Sequence, residues 1–285
     1  MQSSFRSDLA IETAQMFQEM SSLQGVRIEE VTGEQTGIRV TRVYIENETG
    51  SKQLGKAIGT YITLEVPNLD RQDSDYHREI SFEVMEQMRL LVENIQDKKI
   101  LVAGLGNRQM SPDALGPLVV DHLFVTRHLI ENCGKDSTAV KGMGCVSALA
   151  PGVMAQTGME TREIILGAIH ETKPDLLIVI DALAARSVER LNKTIQITDA
   201  GIAPGAGVGN RRCGMNAESM GIPVIAIGIP TVIDAESLVR DALDRVLTEN
   251  EIRDFFVTPK NIDEIAEQMS FTLSEALNQL FHSGE

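Results

Sequence analysis

Two short runs of uninterrupted apolar residues, Ile100–Ala103 and Leu176–Ile180, constrain the fold of this chain most. A strand with one face in water alternates apolar and polar residues. A run that is apolar at every position is buried on both faces, which is typical of a parallel strand covered by helices. Both runs give way abruptly to polar chemistry. The first opens into the glycine-rich stretch GLGNRQMSPDALGP, Gly104 to Pro117, and the second meets Asp181. In open α/β sheets functional groups collect beyond the carboxyl ends of the strands. Asp113, carried by the loop, and Asp181 are therefore expected at one sheet edge, provided the two strands lie close together.

The rest of the chain reads as one mixed α/β domain with a largely parallel central sheet flanked by helices. Residues 1–36 are polar, with a weak helical stretch from Leu9 to Met20. Gly37–Asn47 and Ile58–Val66 alternate as half-buried strands and are expected to pair at the sheet edge, joined by a turn-prone linker. Helical spacing covers His77–Gln96, Ala114–Ile130, Gly158–Thr172, Asp234–Leu247 and Asn261–Phe281, with a short helical stretch at Ala182–Arg190. Further strands are expected within Thr138–Val146, at Thr194–Thr198 and at Val224–Gly228.

Composition narrows the chemistry. A net charge of −15 argues against sequence-independent nucleic-acid binding. There is no run of about 18 apolar residues, so no membrane span is expected. The start MQSSFRSDLAIE lacks the apolar core of a secretory signal. Three irregularly spaced cysteines, Cys133, Cys145 and Cys213, read as reduced thiols rather than a disulfide framework. The loop is not a dinucleotide fingerprint, because Gln109 stands where the third glycine belongs. The P-loop pattern, HExxH and the nucleophile elbow GxSxG are all missing, and the histidines are scattered, His122 and His128 being six residues apart on one expected helix.

What remains is the pair of acids. Two carboxylates a few ångströms apart cannot easily both ionise and hold a shared proton near neutral pH. The ionised member can activate water against a peptide carbonyl while the protonated one assists the leaving amine. Gly104, Gly106 and Asn107 would form the loop that presents Asp113, the glycines permitting close backbone approach. The ordinary reading of each aspartate is a helix N-cap, since each precedes an expected helix. Residues 203–212, APGAGVGNRR, offer a second glycine-rich loop whose Arg211 and Arg212 could meet substrate or simply face water.

These residues give the chain a resemblance. RSDLAIE (Arg6–Glu12), the loop Gly104–Pro117, VTRHL (Val125–Leu129), APGVMAQTGMET (Ala150–Thr161), KPDLLIVIDALAAR (Lys173–Arg186), TIQITDAGIAPGAGVGN (Thr194–Asn210), GIPVIAIGIPTVIDA (Gly221–Ala235) and VTPKNID (Val257–Asp263) resemble, in order, the germination protease family of spore-forming Firmicutes. The resemblance implies a fold shared with hydrogenase-maturation endopeptidases. It also implies an endopeptidase that degrades small acid-soluble spore proteins, with the family's two essential aspartates falling on Asp113 and Asp181. The family is described as atypical aspartic-type and has also been placed among metallopeptidases. No metal set is recognisable here, so no metal and no cofactor are expected. A non-catalytic binding protein on the same scaffold, or a metal-dependent peptidase with the same aspartates as ligands, are the alternatives.

Members of the family are made as zymogens that cut themselves where an acidic residue precedes a large apolar and a small one. Ser7-Asp8-Leu9-Ala10 fits, so the cut is expected between Asp8 and Leu9, releasing residues 1–8 from a peptidase domain of residues 9–285. The resemblance further implies a homotetramer in the cytoplasm of the developing forespore and spore core, with itself and the spore proteins as substrates. One departure is a shortened segment, Glu236–Phe256, where the family carries more, expected not to touch Asp113 or Asp181.

Overall fold

The structure is a computed structural model, and it describes residues 8–12, 24–34, 36–67, 69, 73–135, 137–203, 214–235, 238–239 and 255–282. Among these, the strands are β1 (Val26–Thr32), β2 (Arg39–Ile45), β3 (Gly59–Glu65), β4 (Lys99–Gly104), β5 (Cys145–Leu149), β6 (Leu176–Ala185), β7 (Thr194–Thr198), β8 (Val224–Asp234) and β9 (Phe256–Val257). The helices are α1 (Glu48–Leu54), α2 (Ser74–Leu91), α3 (Leu115–His122), α4 (Arg127–Cys133), α5 (Met154–Thr157), α6 (Thr161–Thr172), α7 (Ala217–Met220) and α8 (Ile262–Phe281).

The strands form one mixed sheet in the order β1-β2-β3-β7-β8-β6-β4-β5, with β9 added to the end of β8. β8, β6, β4 and β5 run parallel, whereas β1, β2, β3 and β7 are joined antiparallel to one another and to β8. The expected pair of N-terminal strands is β2 and β3. β4 and β6 are direct neighbours, so the two apolar runs lie side by side.

Alternate residues of these strands serve opposite faces, as the two-residue period requires. Ile100, Val102, Ile178 and Ile180 pack in the larger core with Leu115 and Val119 of α3, Val84 and Met88 of α2, and Leu273, Leu277 and Phe281 of α8. Leu101, Ala103, Leu177 and Val179 face the other way, onto Ile165 of α6 and Met220 of α7. No helix among the described residues is long and apolar enough to cross a membrane.

Several expectations are corrected. The region before residue 37 contains a strand, β1, paired along its whole length with β2. The linker between β2 and β3 folds as α1, capped by Asn47, whose side chain accepts from the N–H groups of Thr49 and Gly50. The stretch 138–146 is a short 3₁₀ turn followed by β5, which begins only at Cys145.

The helix expected over 114–130 is two helices. Between them the Asn278 side chain of α8 accepts from the Phe124 N–H at 2.9 Å and donates to the His122 carbonyl at 3.1 Å. Thr126 then donates its N–H to the Val146 carbonyl of β5 at 3.0 Å and its hydroxyl to the carbonyl of Gly144, just before that strand, at 2.5 Å. Tertiary partners thus satisfy the backbone that a continuous helix would have used.

No helix forms at 182–190, because β6 continues to Ala185, paired with β8. Most of the expected helix 234–247 lies outside the described residues, as do residues 13–20 of the N-terminal one.

Candidate active site

Asp113 reaches the sheet edge on a loop braced at both ends. The Leu105 N–H donates to the Ile180 carbonyl at 2.7 Å, tying the exit of β4 to β6. Where α3 begins, Gly116 passes so close that a Cβ would stand 2.6 Å from the Ile180 carbonyl oxygen. Gly106 adopts φ +110°, a conformation that disfavours residues with a side chain. That turn directs the Asn107 N–H at Asp113 Oδ2, 2.8 Å away. Asn107 Oδ1 in turn accepts from Gln156 Nε2 of α5 at 2.8 Å.

The cap reading of Asp113 therefore fails. Its carboxylate binds the loop, and α3 starts after Ala114 with no side-chain cap. The cap reading of Asp181 fails too, since no helix follows it. Asp181 sits within β6, one residue beyond Ile180, the register partner of Gly104 on β4. It is 5% exposed, and its Oδ1 accepts from the Ala182 N–H at 3.0 Å.

A β-bulge completes the support. Along β6 and β8 the register shifts between Leu183, opposite Pro230, and Ala184, opposite Val232. Thr231 is left unpaired in the ladder, and such bulges re-aim side chains beside functional sites. Its hydroxyl donates to the Pro112 carbonyl at 2.5 Å, next to Asp113. The sequence offers one signal for this, the proline in β8, which cannot donate to a ladder.

Asp113 and Asp181 line one cavity of about 600 Å³. Its walls include Gly106, Asn107, Met154, Thr231, Phe256 and Thr258. Phe256, the last residue of the shortened segment 236–256, lines the same cavity; residues 236, 237 and 240–254 of that segment lie outside the described residues. Arg211 and Arg212 also lie outside them.

Asp8 lines the same cavity. Its N–H donates to the Ala184 carbonyl at 3.2 Å, and its Oδ2 accepts from the Ala184 N–H at 2.9 Å. Farther along, the Glu12 carboxylate accepts from the N–H groups of Arg186 and Ser187 at 3.1–3.2 Å. Leu9 and Ile11 are buried together with Leu183. The segment 8–12 is thus seated along the end of β6, immediately after Asp181.

A second, smaller cavity of about 100 Å³ shares Asp8, Asp181 and Leu183 with the first and adds Lys56, Tyr61 and Gln196. Burial pulls the Lys56 ammonium pKa down, while the Asp8 and Glu12 carboxylates pull it up. Sequence reading missed Lys56 and Gln196, one in a polar linker and one inside a strand. The only hint is a glutamine amid the apolar run of TIQIT.

His122 Nε2 lies 3.1 Å from Glu267. Cys133 is exposed, Cys145 is partly buried, and Cys213 lies outside the described residues. Among the described residues no group of three or more His, Cys, Asp or Glu is placed to hold a metal ion.

Comparison with known proteins finds a matching family. The germination protease family model matches residues 6–253. The germination protease of Bacillus cytotoxicus is 47% identical over 249 residues, 85% of this chain and 66% of that protein. That of Bacillus cereus strain AH187 is 45% identical over 251 residues, 86% of this chain and 67% of that protein. That of Clostridium tetani is 41% identical over 282 residues, 96% of this chain and 85% of its own length. The chain thus spans about two thirds of the length of the Bacillus relatives. Among solved structures, the NiFe hydrogenase maturation protease HycI of Thermococcus kodakarensis KOD1 is 20% identical, covering 66% of this chain and 98% of that one at a TM-score of 0.37.

Proposed function

The chain belongs to the germination protease family, and from that premise we propose that it is a self-processing endopeptidase in which Asp113 and Asp181 activate water. One observation carries the reading. Asp8, the acidic residue of the proposed cut site, lies in the cavity lined by both aspartates. An acid, a large apolar residue and a small one, Asp8-Leu9-Ala10, are held there by main-chain and side-chain bonds, as a bound substrate segment would be.

In this reading the two carboxylates share one proton. The ionised member takes a proton from water as its oxygen attacks the Asp8 carbonyl carbon, and the protonated member supplies one to the Leu9 nitrogen. Residues 1–8 are the propeptide and residues 9–285 the peptidase. After the cut the vacated cleft accepts acid–apolar–small segments of other chains, with small acid-soluble spore proteins as the substrates. The hydrogen bonds that position Asp8, from both main-chain groups of Ala184, are available to any extended segment with an acidic side chain.

The test is cleavage of a peptide containing Asp-Leu-Ala by processed wild-type protein and by protein carrying Asp113→Asn or Asp181→Asn. Each substitution should lower the rate by at least about 100-fold, the lower end for loss of a general acid or base. Turnover by either variant at the wild-type rate would refute the paired-carboxylate mechanism.

A further inference from the structure

Lys56 and Gln196 reach the proposed scissile bond itself. Lys56 Nζ donates to the Asp8 carbonyl oxygen at 2.9 Å, and Gln196 Nε2 donates to the same oxygen at 3.2 Å. The Gln196 amide also turns its Oε1 to the Ala10 N–H, 2.7 Å away. One side chain therefore grips the main chain on both sides of Leu9.

Both donors are held by the fold. Gly55, at φ +62°, ends α1 and turns the chain at Lys56, whose carbonyl is fixed by the Ser51 hydroxyl at 2.7 Å. Gln196 is buried in β7, opposite Gly228 of β8, and Gly228 is also the register partner of Asp181. Gln196 and Asp181 consequently stand on one row of the sheet. The cavity around Lys56 contains Asp8, Tyr61 and Asp181, and the Glu12 carboxylate also acts on its ammonium.

The oxygen that these donors address is the one on which charge collects when water adds to the carbonyl carbon. A cation and an amide N–H fixed there before reaction stabilise that charge without reorganising. We infer that Lys56 and Gln196 are the carbonyl-polarising pair for cleavage of the Asp8–Leu9 bond, and for cleavage of the acid–apolar–small segments that later take its place. The inference rests on the self-cleavage reading and adds to it the groups that bind the oxyanion.

The step balances with water as the other reactant. The water oxygen bonds to the Asp8 carbonyl carbon, one water proton passes to the ionised aspartate, and the carbonyl π pair moves onto the oxygen facing Lys56 and Gln196. That pair then re-forms the C=O bond as the C–N bond breaks. The bonding electrons leave on the Leu9 nitrogen, which takes the proton held by the other aspartate. Asp8 ends with a carboxylate and Leu9 with an amine, protonated by the remaining hydroxyl proton.

The test uses the full chain with ¹³C at the Asp8 carbonyl, as wild type and as Lys56→Met, Lys56→Arg, Gln196→Leu and Asp181→Asn. Self-cleavage is followed by intact mass, the Asp8 carbonyl stretch by infrared spectroscopy, and seating of the segment by hydrogen exchange at Ala10. Lys56→Met should show a higher carbonyl frequency and cleavage slowed about 10²–10³-fold, the loss seen when one oxyanion donor is removed. Gln196→Leu should lose less, and Lys56→Arg should recover part of the rate. Asp181→Asn should lose cleavage yet keep the low carbonyl frequency, which separates the two claims.

Wild-type cleavage in Lys56→Met, or a carbonyl frequency that does not move, overturns the inference while leaving the aspartates in place. An Ala10 amide that exchanges freely in Lys56→Met also overturns it, making Lys56 an anchor of the segment. Undiminished cleavage in Asp181→Asn instead overturns the aspartate reading, and the Lys56→Met rate and carbonyl frequency still judge the clamp.

Discussion

Asp181 and Gln196 are both register partners of Gly228, so they stand on one cross-strand row with β8 between them. Paired residues rise from the same face of a sheet, and two strand spacings place them roughly 10 Å apart. The residue between them has no side chain. Asp8 gives its carbonyl oxygen to Gln196 and lines two cavities, each of which Asp181 also lines. The Leu183 side chain covers Gly228, and the acid and the glutamine line one small cavity together with Asp8.

The Asp113 loop depends on a glycine. Gly106 sits at φ +110°, and a Cβ there would overlap the Asp113 carbonyl and stand 2.9 Å from its Oδ1. Gly106→Ala should cost about 1–3 kcal/mol of stability through backbone strain. It should also slow self-cleavage more than tenfold by displacing Asp113. Urea unfolding and intact-mass kinetics on the same preparation check both. An unchanged cleavage rate would mean that Asp113 is not positioned by this turn.

The segment 8–12 should be pinned at its far end by Glu12. Its carboxylate takes the N–H groups of Arg186 and Ser187. Hydrogen bonds to a charged group are worth about 1.5–3 kcal/mol. Glu12→Ala should therefore speed hydrogen exchange at Arg186 and Ser187 by about ten- to a hundredfold, converting that energy to a rate ratio. Unchanged exchange would show that β6 ends rigidly without the segment.

Acid should weaken the C-terminal helix through His282. Burial lowers its pKa below 6.5, partly offset by the hydrogen bond from Nε2 to the Phe124 carbonyl. Its Nδ1 is buried with no hydrogen-bond partner among the described residues, so a second ring proton meets no acceptor there. With the folded pKa below the unfolded one, the unfolded chain binds more protons between them, and stability rises with pH through that window. The contribution is complete above about 6.5 and is lost as pH falls toward the folded value. His282→Asn should flatten the dependence of the urea midpoint between about pH 7.5 and 5.5 relative to wild type. Equal slopes in both proteins would exclude His282 as its source.

Much of this site can be read from sequence because it hangs on two apolar runs. Ile100–Ala103 and Leu176–Ile180 identify buried parallel strands, and few polar residues stand just beyond their ends, Asp113 and Asp181 among them. Their adjacency required the structure, since nothing local to either run specifies its neighbour. The stretch ALAARSVER misleads because alanine, leucine and arginine favour helices, while nine paired positions with β8 extend β6 through Ala185. β1 escapes notice because its inward residues Val26 and Ile28 are followed by Glu29 and Glu30, which break the alternation. Lys56 and Gln196 carry no motif at all. Their meaning comes from the chain segment that lies against them, which is separated from them by 48 and 188 residues.

Asp113 on its loop and Asp181 within β6, in this reading, cleave the peptide bond seated beside them. Intact-mass analysis of purified wild type, Asp113→Asn and Asp181→Asn, each moved from neutral to mildly acidic pH, puts that to the sharpest test. The wild type should lose the mass of residues 1–8 and neither variant should, with the circular dichroism of all three alike. Release of the same fragment by an aspartate variant at the wild-type rate, or a wild-type cut at any bond other than Asp8–Leu9, would show the assignment to be wrong.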